Sequence, residues 1–148
     1  MTEELFISWY NETSRRHAIL SDDGTTAWLY LHNPTQDTVQ TGPVEIACFV
    51  YNRIEPIIET EVQQYRPSPP PITKRYASQS AVCRQPDTHD WTIVWSNDGE
   101  SAVLKKDGIP WCFIELATKR KRSKGIEIEG PWGAPWSEEA YANIEWSG

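Results

Sequence analysis

The chain has little of what marks most small enzymes. Its three histidines, His17, His32 and His89, stand apart. None falls in a His-x-His, His-Glu-x-x-His or Cys-x-x-Cys spacing, which excludes the common zinc signatures. There is no Gly-x-Ser-x-Gly nucleophile turn and no glycine-rich phosphate loop. The calcium-like runs Asp22-Asp23-Gly24 and Asn97-Asp98-Gly99 lack the spaced ligands and closing glutamate of a twelve-residue loop. The sequence therefore implies no metal and no cofactor.

Cysteines are few as well. Cys48, Cys83 and Cys112 are odd in number and widely spaced, which suits reduced thiols in a cytoplasmic protein rather than a disulfide framework. Residues 1–20 show no basic start followed by an apolar run, so no secretory signal is read there. No stretch approaches the ~18 apolar residues of a membrane span.

What is abundant is tryptophan, with 8 residues, and proline, with 11. The prolines and 8 glycines disfavour long helices and favour short strands and turns. At 148 residues the chain reads as a single domain, 1–148, able to bury roughly two-thirds of its unfolded surface.

The chain also repeats itself. Ile19-Leu20-Ser21-Asp22-Asp23-Gly24-Thr25-Thr26-Ala27-Trp28-Leu29 aligns with Val94-Trp95-Ser96-Asn97-Asp98-Gly99-Glu100-Ser101-Ala102-Val103-Leu104. Cys48-Phe49-Val50 follows the first copy and Cys112-Phe113-Ile114 the second. Asp-Gly between apolar runs is a strong hairpin signal, because both residues tolerate positive φ. The predicted fold is mostly β: a two-repeat antiparallel sandwich or squat barrel with a short C-terminal helix. The half-repeats are 1–66 and 72–130, joined by a proline-rich strap at 66–71, with a Pro-Trp loop and helix in 131–148.

Strands are expected at Leu5–Tyr10, on both sides of each Asp-Gly turn, at Val44–Tyr51 and at Trp111–Leu116. The second half of Val44–Tyr51 is apolar on both faces, so both should be covered. Ile54–Tyr65 reads as extended, because Pro56 and β-branched residues oppose a helix. Gly125–Gly130 alternates apolar and acidic residues and reads as a half-buried edge strand. Ser137-Glu138-Glu139 reads as a capped helix start.

Two features are candidates for a site. Gly130-Pro131-Trp132-Gly133-Ala134-Pro135-Trp136 is a stiff loop presenting two indoles, and Pro131, Trp132, Pro135 and Trp136 form a candidate binding surface. The same indoles could instead cap the end of a sandwich. The other feature is Lys119-Arg120-Lys121-Arg122-Ser123-Lys124, read as a basic loop. Removing its five charges from the net −7 leaves −12 on the rest of the chain. The loop is either solvated or paired with Glu127, Glu129, Glu138 and Glu139. A pI near 4.9 argues against nucleic acid, and an acidic body steers toward basic proteins.

Three functions are open on this reading. One is a non-catalytic protein-binding module, of the inhibitor or immunity kind, with a basic protein as partner. Another is a binder of a sugar or other flat molecule through tryptophan. The third is an enzyme using Cys83, with His89 or the Asp loops. A neighbouring Arg84 would favour a Cys83 thiolate.

Overall fold

The computed structural model describes residues 4–147. Two sheets pack on one core. Strands β1 (Leu5–Asn11), β2 (Arg16–Asp22), β3 (Thr26–His32) and β4 (Val44–Asn52) form the first, in the order β1-β2-β3-β4. The second holds β5 (Trp91–Trp95), β6 (Ser101–Lys106), β7 (Ile109–Glu115), β8 (Arg120–Ser123) and β9 (Ala134–Pro135), also in chain order. Neighbours pair antiparallel except β8 and β9, which run parallel. The sheets do not close into a barrel. A short helix, α1 (Glu138–Ala142), follows, and the Ser137 side chain accepts from the Ala140 N–H at its start.

The two sheets share a run of three antiparallel strands in chain order. β2-β3-β4 corresponds to β5-β6-β7, and Leu29 faces Cys48 as Leu104 faces Cys112. Side chains alternate across a strand, so these residues point into the space between the sheets. There Leu20, Leu29 and Cys48 meet Leu104, Cys112 and Ile114 in one buried cluster. β1, β8 and β9 have no counterpart in the other copy.

The two hairpins close differently. In the first, Asp22 pairs with Ala27; in the second, Trp95 pairs with Ala102 and Ser96 N–H bonds to Ser101. Relative to the sequence alignment this is a slip of two residues, which keeps every side chain on its face. Asp22 explains it. Its carboxylate is buried, where it accepts from the Tyr51 hydroxyl, from Arg53 Nε at 2.8 Å and from Gly24 N–H at 2.8 Å. Asn97, at the matching position, is exposed in its turn. Both turns otherwise share one device. Asp23 Oδ1 accepts from Thr25 N–H at 2.9 Å, and Asp98 Oδ1 from Glu100 N–H at 2.9 Å. Gly24 and Gly99 follow with φ of 95° and 71°, a region that favours glycine.

Each sheet is covered on its outer face by irregular chain. The segment between the repeats is longer than the expected 66–71 strap. It runs from the end of β4 to β5, and with Ile126 and Trp132 it lays Ile72 and Ala81 over Trp28 and Phe49. β4 is thus covered on both faces in its second half, as its composition requires. Residues after β9 cross the outer face of the second sheet and end beside β5, where Ser147 N–H bonds to Trp95 O.

Three sequence expectations are corrected. Residues 120–123 form strand β8, not a loop; the hairpin turn lies before it, with Lys119 at φ 59°. Gly125–Gly130 is not a strand, and only isolated bridges involve Ile126 and Gly130. Within Ile54–Tyr65, Glu59–Tyr65 is a 3₁₀ helix. The Glu61 carboxylate accepts from the Ile58 N–H at 3.0 Å and satisfies a donor at its start.

Candidate functional site

The two features singled out in the sequence lie together. β8 carries the basic residues, and β9 is the centre of the Pro-Trp loop; Arg122 pairs with Ala134 and Ser123 with Pro135. Strand alternation puts Arg120 and Arg122 on the outer face and Lys121 on the face of Ile114. Arg122 Nη1 donates to Pro135 O at 3.0 Å, which ties strand to loop. Lys124 Nζ lies 5.1 Å from the centre of the Trp136 ring, a cation–π contact.

Trp136 is held rather than free. Its ring meets Phe113 edge-on at 5.3 Å and Tyr141 of α1 at 5.2 Å. Its Nε1 donates to Glu138 at 2.8 Å. It remains half-buried, so part of the indole is open to a partner. Pro131 is exposed and Pro135 half-buried.

Trp132 differs. It is 4% exposed, packed against Tyr76 with the rings tilted by 36° at 5.4 Å, and its Nε1 donates to Pro70 O at 3.0 Å. Its own carbonyl accepts from Phe49 N–H at 3.0 Å. The expected pair of presented indoles is therefore one half-open indole and one core indole. A seven-residue loop rich in proline looks exposed in sequence; here it passes between the two halves and is packed by both.

Two open grooves flank β8. One, of about 230 Å³, lies between Arg120 and Arg122 and the start of α1, at its cap Ser137 and at Glu139 and Ala140. The other, of about 400 Å³, is bordered by Lys119, Lys121 and Glu129 together with Arg120, Arg122 and the loop backbone at Gly130. Among the described residues, Arg120, Lys121, Arg122 and Lys124 make no ion pair. Pairing with Glu127, Glu129, Glu138 or Glu139 is replaced by one contact, from Lys119 to Glu45 at 2.8 Å. Glu45 also accepts from buried Arg16 at 2.8 Å. Hydrogen bonds from Lys119 and then Arg16 hold the Glu45 carboxyl below its usual range.

The remaining candidates are dispersed. Lys106 Nζ approaches Cys83 Sγ at 3.7 Å, whereas His89 Nδ1 lies 3.0 Å from Asp87. His17 and His32 are buried against the Thr38 and Gly42 carbonyls, both at 2.8 Å. Cys48 and Cys112 adjoin in the core, and burial, then the neighbouring thiol, pushes the Cys112 pKa up. Among the described residues, no three His, Cys, Asp or Glu side chains group as a metal requires. No helix among them is long and apolar enough to cross a membrane.

Sequence reasoning missed Phe113 and Tyr141 as the platform for Trp136. A signal existed: Trp136 directly precedes the Ser137 cap, so the indole is fixed at a helix start.

No protein-family model, no curated protein and no solved structure matches this chain.

Proposed function

We propose that this chain is a non-catalytic protein-binding module that engages its partner at the β8–β9 edge. The carrying observation is the meeting of Arg120, Arg122 and Lys124 with the half-open Trp136 on one surface. Tryptophan, tyrosine and arginine dominate binding hot spots, because each combines large contact area with polar reach. The grooves beside β8 are open and polar, which suits side chains of a partner rather than an enclosed substrate. The exposed Arg120 offers its planar donors to carboxylates and Arg122, tied to Pro135, adds its charge, so the contacting patch of the partner is acidic even though the rest of this chain is acidic too. That opposition of sign orients the encounter: the body repels an acidic surface everywhere except at β8.

Affinity capture from a lysate of the native source, at low and at physiological salt, tests the reading. The wild type is compared with Trp136→Ala and with Arg120→Glu/Arg122→Glu. A stoichiometric protein retained by the wild type, weakened by salt and lost with both variants, supports it. A partner retained equally by both variants removes this edge as the binding surface.

A further inference from the structure

A second site lies on the outer face of the first sheet. Trp28 and Tyr30 are two apart on β3, so both rings stand on that face. Ser68 and Pro69 of the strap pass over them and leave a cleft of about 110 Å³. Ser21, Asp23 and Thr26 complete its wall. At ~30 Å³ per water-sized group, the space admits about four such groups.

The chemistry of the wall is one-sided. Two aromatic rings, a proline, the hydroxyl residues Ser21, Thr26 and Ser68, and a carboxylate line it, and no Lys, Arg or His does. The Asp23 carboxylate is fixed, since Oδ1 accepts from Thr25 N–H at 2.9 Å and Thr26 N–H at 3.0 Å. Among the described residues its Oδ2 makes no hydrogen bond and its carboxylate no ion pair. Asp22, the preceding residue, spends its charge on Tyr51 and Arg53. Burial, with Asp23 as the lesser cause, pushes the Tyr30 pKa up, so its ring stays a neutral phenol. A neutral aromatic pair beside an unpaired carboxylate attracts a cation whose surface is partly apolar: the ring faces carry negative potential, and the carboxylate supplies the counter-charge.

We propose that this cleft binds the head of a small organic cation of the alkylammonium class. The ammonium sits toward Asp23 and its carbon substituents lie against Trp28, Tyr30 and Pro69. The site shares no lining residue with the β8–β9 edge, so the two proposals stand or fall separately.

The test is a titration of the ¹⁵N-labelled protein with choline, following the indole N–H signal assigned to Trp28 by its loss in Trp28→Phe. The comparison compound is the uncharged isostere in which carbon replaces the ammonium nitrogen. Potassium chloride at equal ionic strength is the control. The expected result is a saturable Trp28 shift with choline alone, weakened about tenfold or more in Asp23→Asn and in Tyr30→Leu but not in Tyr30→Phe. Asn at 23 still accepts from the Thr25 and Thr26 N–H groups, so the turn survives that change. No saturable shift, an equal response to the isostere, or unaltered affinity in Asp23→Asn would each overturn the proposal.

Discussion

Phe49 and Phe113 hold the same place in the two sheets, each on the outer face one residue past the shared cysteine, and one loop covers both. Trp132 joins the buried cluster over Phe49, and Trp136 packs on Phe113. Only three residues lie between the two indoles, yet their surroundings assign them different work. Trp132→Ala empties a buried site and is expected to cost ~3–5 kcal/mol of stability. Trp136→Ala is expected to cost clearly less stability, while reducing partner binding by ~2 kcal/mol. Denaturant unfolding and affinity measurements on both variants check this split; equal stability losses would contradict it.

Asp22 and Asn97 make a second comparison. The buried Asp22 carboxylate holds the Tyr51 hydroxyl and Arg53, whereas Asn97 faces solvent. Asp22→Asn should lower stability by ~2 kcal/mol or more, because it removes the charge from a buried, hydrogen-bonded pair. Asn97→Asp should change it by less than about 0.5 kcal/mol, as for an exposed site. Urea midpoints of the two single variants decide the matter.

Arg16 on β2 joins the halves. Its Nε reaches Glu100, in the β5–β6 turn, at 2.8 Å, and its Nη1 reaches Glu45 at 2.8 Å and the His32 carbonyl at 3.1 Å. Arg16→Ala is expected to destabilise by ~3 kcal/mol, since the guanidinium is buried and its loss leaves Glu45 without its inner partner. Glu100→Gln, at a carboxylate about two-fifths exposed, should cost under about 1 kcal/mol.

Stability should fall at both ends of the pH range. Glu45 has a lowered pKa in the fold. Its contribution is present above the unfolded value of about 4.3 and is lost as pH falls through the folded one. Cys112 and Tyr51 have raised pKa values, burial being the first cause in each. Their contributions are complete below the unfolded values, about 8.5 and 10, and decline as pH rises beyond them, because the unfolded chain releases protons that the folded one keeps. Unfolding free energy measured from pH 8 upward should therefore drop, and Cys112→Val should show a shallower slope at its start. At neutral pH a thiol reagent should label Cys83 in the native protein, and Cys48 and Cys112 only after unfolding.

Strand positions were legible because Asp-Gly turns and alternating apolar residues are local signals. The register was not: Cys48 pairs with Leu29 and Cys112 with Leu104, yet the two aligned hairpins pair two residues apart. Burial of the proline-rich loop was not legible. Nothing local to Trp132 announces that Pro70, 62 residues earlier, accepts its indole N–H. Nor does Lys119-Arg120-Lys121-Arg122 announce a strand: four consecutive charges hide the alternation, and only pairing with Ile114 on one face and Phe113 on the other reveals it. The site was half legible for the same reason. Its residues were visible one by one, and their meeting depends on the parallel contact of β8 with β9.

The covering of the second sheet also sets a schedule. Val103 and Phe113 are fully buried on its outer face, and Trp136, Tyr141 and Trp146 pack around Phe113 from residues made after every strand they cover. Until residues 134–147 are made, that outer face stays open to water, an exposed apolar surface of the kind that makes a folding chain prone to aggregate.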